Sequence, residues 1–382
     1  MRTLRVGVIG TGFIGKQHIE AIRRIPGTEV SAIADSNSAA AQCVGEQLCI
    51  EKIYKDYHEL LKDSNIDVIH NCTPSSFHFE INREIIQSGK HVYCEKPLTT
   101  SVEESQALIT LADQMNIAAG VNFNYRHNCM VQEMRQRVES GNIGKPSMVH
   151  GQYLQDWLLY DTDYDWRMDP KIGGASRAVA DIGSHCFDTA QFVLNRKISA
   201  VYAHLITVYP TRKRCEKTGN TFSSEVGKVI EELPIHSEDA AFIMVKFEDG
   251  TPGLFHLSQV CAGKKNGLEL TVSASNASLE WKQEVADRLW IGHRDTPNES
   301  IYVDAKFMTG NAQSYASLPA GHAVAWHDAL RNAINAFYTS IRNSTYREEL
   351  QNYATFRDGK QIMKLVEACL QSNKLEQWIQ IK

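Results

Sequence analysis

Leu4-Arg5-Val6-Gly7-Val8-Ile9 runs straight into Gly10-Thr11-Gly12-Phe13-Ile14-Gly15. The first six residues are a strand candidate, apolar except at Arg5 and Gly7. After the glycines, Ile14, His18, Ile19, Ile22 and Ile25 recur at helical spacing until Pro26-Gly27 ends the run. GxGxxG alone is a weak signal, but a strand before it and a helix after it give the context its physics needs. Gly10 permits the tight turn, Gly12 lets backbone N–H groups approach a pyrophosphate, and Gly15 lets the helix pack on the strand. Residues 29–34 read as a second strand, closed by Asp35, which lies 20 residues after Gly15. There a carboxylate accepts the ribose 2′-hydroxyl of NAD. A 2′-phosphate would be repelled, and Ser36, Asn37 and Ser38 offer no cation to hold it. The expected cofactor is therefore NAD in preference to NADP.

Outward from this start, strands and helices keep alternating. Residues 67–72 read as a strand ending at Thr73-Pro74, 77–87 as a helix, 91–94 as a strand, 102–115 as a helix and 118–123 as a strand. Such alternation with apolar strands implies a parallel sheet covered on both faces. The strand at 91–94 ends in Cys94-Glu95-Lys96-Pro97. Open α/β sheets bind ligands just past such carboxyl ends. A solvated strand end with a turn proline is the bland alternative.

From about Val149 the candidates lengthen and alternate in polarity: 148–154, 200–208, 240–247, 253–259, 268–273 and 277–281, with Glu248-Asp249-Gly250 as a hairpin-type turn. Helices are expected at 130–140, 180–194, 323–341 and 356–370, and the basic and polar stretch 210–235 reads as a long loop. The fold class is thus α/β: a Rossmann domain over 1–122, then an α+β domain over 123–382 with an open, mostly antiparallel sheet and C-terminal helices able to pack back on the first domain. One sheet face left free suggests pairing with another copy, giving a homodimer or homotetramer.

Composition excludes several classes. Hydrophobic residues are 43% and charged residues 22% of 382, ordinary for a globular chain. A net charge of −5 gives no bulk attraction to nucleic acid. The nine cysteines form no CxxC pair, which argues against a zinc knuckle and a disulfide scaffold. No apolar run approaches the ~20 residues of a membrane helix, and the early strand leaves no room for a signal peptide. A cytoplasmic protein without membrane attachment is expected.

Gly10 to Gly15, the run Ser88-Gly89-Lys90-His91-Val92-Tyr93-Cys94-Glu95-Lys96-Pro97 and Asp181-Ile182-Gly183-Ser184-His185 resemble the glucose–fructose oxidoreductase/inositol dehydrogenase (Gfo/Idh/MocA) family over nearly the whole chain. The resemblance implies NAD(P)-linked oxidation or reduction at a ring carbon of a sugar or cyclitol, with Lys96, Asp181 and His185 as the catalytic set. It also suggests a cis Lys96–Pro97 bond. The stretch 153–167 looks most like the sugar dehydrogenases that act on glucosides and anhydrosugars. By the same resemblance Tyr125, Gln155, Trp157 and Arg167 join Asp181 and His185 as substrate contacts. Gly10, Gly12, Phe13, Ile14, Gly15, Asp35, Thr73, Pro74, His78, Glu95 and Lys96 make up the expected cofactor-binding set.

The chemistry suits these residue types. Oxidising an alcohol needs a base for the hydroxyl proton, and histidine titrates near neutrality. Asp181 lies four residues before His185, so a helix from Ala180 onward would put both on one face. Asp181 would then orient the imidazole or bind a neighbouring hydroxyl. Lys96 supplies a cation for a developing alkoxide. Set against these roles are a capping Asp181 and a core His185. The pair also has metal-ligand spacing, but no third ligand is evident and no metal is expected. An inositol dehydrogenase, an NAD-retaining glycosidase and a non-catalytic NAD-binding sensor are the competing functions.

Overall fold

The structure, a computed structural model, describes residues 2–216 and 228–381. Two compact units are present. The first runs to Phe123 and takes in Leu330–Met363; the second comprises Asn124–Ala329 and the chain from Lys364 on.

In the first unit β1 (Leu4–Ile9), α1 (Phe13–Arg23), β2 (Thr28–Ala34), α2 (Ser38–Gln47), β3 (Lys52–Tyr54), α3 (Tyr57–Lys62), β4 (Val68–Asn71), α4 (His78–Gln87), β5 (His91–Cys94), α5 (Val102–Met115) and β6 (Ala119–Val121) follow in order. The sheet order is β3-β2-β1-β4-β5-β6, and every pairing is parallel. The order reverses direction beside β1, where the chain steps from β3 across to β4. This is the switch point at which such sheets bind ligands. Val6, Val8, Val68, Ile69 and Val92 are fully buried, as strands covered on both faces require. The helices begin where the sequence provides caps: Asn37 accepts from Ala40 N–H, Asp56 from His58 N–H and Ser101 from Glu104 N–H.

The second unit contains α6 (Cys129–Glu139), β7 (Pro146–Leu154), the single turn α7 (Pro170–Gly173), α8 (Ser184–Leu194), β8 (Ile198–Ile206), β9 (Thr211–Cys215), β10 (Val229–Pro234), β11 (Ala240–Phe247), β12 (Pro252–Ser258), β13 (Gly267–Ala274), β14 (Ser278–Lys282), β15 (Arg288–Gly292) and β16 (Glu299–Tyr302). Two long helices follow, α9 (Trp326–Asn343) and α10 (Phe356–Leu375), and the short β17 (Ile379–Gln380) closes the second unit's sheet. That sheet has the order β16-β15-β14-β13-β7-β12-β11-β8-β17. It is antiparallel except where β12 runs parallel to β7. Along β11, Ile243, Val245 and Phe247 are buried while Phe242 and Met244 are 47% and 43% exposed. One face is therefore packed and the other carries apolar side chains outward.

Three expectations need correction. Residues 210–235 are not a continuous loop: β9 and β10 pair as an antiparallel hairpin, although 217–227, with the expected basic Lys217, lie outside the described residues. Arg212 explains the strand. Its guanidinium is wholly buried against Asp239 at 2.6 Å and donates to three backbone carbonyls. A basic run therefore has an inward face that composition could not reveal. The helix expected from Ala180 instead opens as a π-turn over Val179–Gly183 and becomes α-helical only at Ser184. The wider turn removes the strict α-helical register on which the shared face of Asp181 and His185 was argued. Finally, β15 and β16 extend the sheet beyond the strands read from periodicity.

Candidate active site

The cofactor half is built at the carboxyl ends of β1, β2, β4 and β5. Gly10 has φ +90°, and a Cβ there would stand 2.7 Å from the Cys72 carbonyl oxygen. A Cβ on Gly15 would stand 2.0 Å from the Gly10 carbonyl oxygen. Backbone geometry alone thus demands both glycines. Gly12 differs: it caps α1 at φ −63°, ψ −167°, and a Cβ would meet nothing within 4 Å. The protein's own packing does not require glycine at this position. A ligand drawn up against the helix N-terminus would, and a pyrophosphate fits that description.

Asp35 is fixed by the turn it faces. Its Oδ2 accepts Thr11 N–H at 2.7 Å and the Thr11 hydroxyl at 2.8 Å, and its Oδ1 accepts Asn37 N–H at 2.9 Å. Phe13 is exposed and Ile14 half-buried at the start of α1. Thr73 and Pro74, both half-buried, lie in the loop just after β4, and the Thr73 hydroxyl donates to Asn71 at 2.7 Å. His78 joins two strand-end loops, with Nε2 at 2.7 Å from the Thr73 carbonyl and Nδ1 at 2.8 Å from the Pro97 carbonyl. Burial pushes its pKa down while the two carbonyls push back. Glu95 is buried, and its Oε2 accepts Lys96 N–H at 3.1 Å. The Lys96–Pro97 bond is cis.

The second unit gathers the expected substrate residues with others that the sequence did not single out. Asp181 Oδ2 accepts from the Gln259 amide at 2.9 Å, and its Oδ1 lies 3.4 Å from Arg167 Nε. Arg167 also bonds Asp165 at 3.0 Å and stands over the Trp166 and Trp157 rings, 4.4 and 5.7 Å from their centroids. Trp157 Nε1 donates to Gln155 Oε1 at 3.0 Å. His185 is 7% exposed. Its ring packs edge-on to Tyr125 at 4.8 Å and tilted to Tyr153 at 6.2 Å. The two phenols are hydrogen-bonded at 2.9 Å, and Tyr153 donates to Asn266 Oδ1 at 2.5 Å.

Charge in this half is organised around Asp181. Burial, the neighbouring Tyr125 and the Asp181 carboxylate hold the Tyr153 phenol well above its usual pKa. Burial likewise raises Tyr125. Both phenols therefore stay protonated near neutrality. They can donate a hydrogen bond beside the His185 ring. Gln259, Tyr153 and Asn266 reach the site from the bend after β12, from β7 and from the turn before β13. Among the described residues no cluster of three or more His, Cys, Asp or Glu side chains is arranged to hold a metal ion.

Comparison with known proteins matches the chain along most of its length. Residues 4–123 match the oxidoreductase family with an NAD-binding Rossmann fold (GFO_IDH_MocA), and residues 131–280 match the GFO/IDH/MocA C-terminal domain. Levoglucosan dehydrogenase of Pseudarthrobacter phenanthrenivorans is 27% identical over 394 residues, spanning 100% of this chain and 99% of that protein. Myo-inositol 2-dehydrogenase of Thermotoga maritima is 27% identical over 256 residues, or 67% of this chain and 69% of its own. A solved levoglucosan dehydrogenase in complex with NADH and L-sorbose superposes with a TM-score of 0.88 at 26% identity, covering 100% of both chains. Two family domains in tandem, with the parallel Rossmann sheet first and the mostly antiparallel sheet second, place the chain in the Gfo/Idh/MocA family of oxidoreductases, whose N-terminal domain is the NAD-binding Rossmann fold.

Proposed function

We propose that this oxidoreductase moves hydride between a ring CH–OH carbon of a sugar, anhydrosugar or glucoside and NAD. Asp181 is the residue that carries this reading. A carboxylate held by both an amide and a guanidinium keeps its direction, in a wall of tyrosine and tryptophan rings of the kind that pyranose sites use. His185 takes the hydroxyl proton as general base, Asp181 fixes a neighbouring hydroxyl or the imidazole, and Lys96 supplies the cation for the developing alkoxide. Tyr125, Gln155, Trp157 and Arg167 orient the ring. Bound NAD supplies the hydride acceptor. Gly10, Gly12, Phe13, Ile14, Gly15, Thr73, Pro74, His78 and Glu95 form its site, and Asp35 favours NAD over NADP. Similarity to levoglucosan dehydrogenase over the full length favours an anhydrosugar over a cyclitol.

In this reading residues 1–122 act as the dinucleotide domain, with Leu330–Met363 packed into it, and the rest of 123–382 as the domain for substrate and assembly. The exposed Phe242, Met244 and Leu254 on one sheet face are suited to pairing with a second copy, as a homodimer or homotetramer in the cytoplasm. The deciding experiment follows absorbance at 340 nm with NAD and a panel of levoglucosan, glucosides, free sugars and inositols. Net NADH formation is expected with an anhydrosugar or glucoside. His185→Ala should lower kcat by about 10²–10⁴, the usual worth of a positioned general base. Product release without NADH would mean a glycosidase. Tight NAD binding with no turnover would mean a sensor.

A further inference from the structure

Four polar side chains run through the core of the first unit and end on Glu95. Tyr338 Oη lies 2.7 Å from His70 Nε2, His70 Nδ1 lies 2.7 Å from His18 Nδ1, and His18 Nε2 lies 2.9 Å from Glu95 Oε1. Tyr338, His70 and His18 are all 0% exposed. They come from α9, β4 and α1. Asn122 adds a bond from Nδ2 to Glu95 Oε1 at 2.6 Å and is itself held by the Tyr93 hydroxyl at 3.1 Å.

The direction of each hydrogen bond can be deduced. Burial pushes the Glu95 carboxyl up, but the His18 hydrogen bond and charge, Lys96 and Asn122 more than offset it and bring it to about 2. Glu95 is therefore ionised and only accepts. His18 must carry its proton on Nε2 whether the ring is neutral or charged. Burial, then the neighbouring His18, holds His70 well below the usual histidine value, so His70 is neutral and has a single N–H. With His18 neutral the donors run one way: Tyr338 to His70, His70 to His18, His18 to Glu95. Burial keeps the Tyr338 phenol protonated, as that direction requires.

Glu95 Oε1 is thus pinned from the core, and Oε2 takes the backbone N–H of Lys96 at 3.1 Å. We infer that His18 is a positioning residue for Lys96: it aims the Glu95 carboxylate, which in turn fixes the peptide carrying Lys96, while His70 and Tyr338 set the imidazole. This rests on the proposed role of Lys96. A buried anion that has lost one of its two side-chain donors would turn toward the remaining one, Asn122, and the Lys96 peptide would lose its anchor.

Two variants separate positioning from packing. In His18→Gln the amide nitrogen reaches where Nε2 stood, so the Glu95 bond survives and the His70 bond is lost. In His18→Asn the amide oxygen stands where Nδ1 stood, so the His70 bond survives and the Glu95 bond is lost. Both create a similar core defect and should lower the melting temperature alike. Only His18→Asn should lower kcat at least tenfold; His18→Gln should recover most of that loss. Equal kcat in the two variants overturns the inference, as does a kcat loss that simply follows melting temperature. If His18→Asn does not fold, the isosteric Glu95→Gln reads the same link: a tenfold fall in kcat is expected, and normal kcat overturns the inference. Lys96→Ala is measured beside them. If it keeps normal turnover, the proposed role of Lys96 falls. If it is inactive while His18→Asn turns over normally, only the positioning inference falls.

Discussion

Alanine placed at each glycine of the turn should separate fold from cofactor. At Gly15 the added Cβ would lie 2.0 Å from the Gly10 carbonyl oxygen. That neighbour is backbone at the tightest point of the β1–α1 turn and cannot rotate away. Overpacking of this kind costs roughly 1–3 kcal/mol or more, so Gly15→Ala should melt early and bind poorly for that reason. At Gly12 the same methyl meets nothing within 4 Å and φ is −63°, which any residue adopts. Removing glycine's freedom from the unfolded chain there should leave stability unchanged or raise it by about 0.4–1 kcal/mol. The methyl would nevertheless stand between the helix N-terminus and a pyrophosphate. Gly12→Ala should therefore weaken NADH binding about tenfold or more, ~1.4 kcal/mol, in a protein that melts like wild type. Thermal unfolding and NADH fluorescence titration measure the two quantities separately. A Gly12→Ala variant with normal NADH affinity refutes the reasoning, and so does one as unstable as Gly15→Ala.

Other consequences can be measured directly. Asp35→Ser should raise the ratio of kcat/KM for NADP to that for NAD, because it removes a carboxylate that a 2′-phosphate would face; an unchanged ratio rejects Asp35 as the discriminator. His91 Nδ1 accepts Ala118 N–H at 3.0 Å, and burial lowers its pKa to about 4. Between ~6.5, where an unfolded histidine titrates, and ~4, the unfolded chain holds the extra proton, so stability is full above that window and falls by ~3 kcal/mol as pH drops through it. Urea unfolding of His91→Asn across the same range should lose that slope, and an unaltered slope contradicts the assignment. Asp239 bonds both Arg177 and Arg212, all three side chains being fully buried. Asp239→Ala should cost ~3–5 kcal/mol by stranding two cations, and wild-type melting would refute this.

What could be read from the sequence was whatever neighbouring residues encode. The glycine turn, the strand and helix periods and Asp35 lie within one β-α-β stretch, and their roles follow from spacing. The second sheet was legible as alternation at β11, where the structure keeps the expected bounds, but β15 and β16 are only five and four residues long, too short for a period to register. The basic run at 211–217 reads as part of a long loop because composition cannot show that Arg212 turns inward. Lys96, Asp181 and His185 came from resemblance; periodicity alone would have left Asp181 a helix cap, and the π-turn that actually carries it has no pattern of its own.

The residues that sequence reasoning missed share one property. Gln259 bonds Asp181 across 78 positions, Asn266 bonds Tyr153 across 113, and Tyr338 bonds His70 across 268. Gln259 and Tyr338 are fully buried and Asn266 is half-buried, and a polar group withdrawn from water is tolerable only when its partner is in place. Such a partner is chosen by the fold and not by local sequence, so no spacing rule announces it. The same fact gives these residues their value at a site. An exposed lysine or aspartate can adopt many directions. One tied to a satisfied buried neighbour has few, since any other direction leaves that neighbour without its hydrogen bond. Asp181, held by Gln259, and Glu95, held by His18, are thus each aimed by the cost of the alternative. A charge at either place could be inferred from the chain in order, but its direction required the packed core.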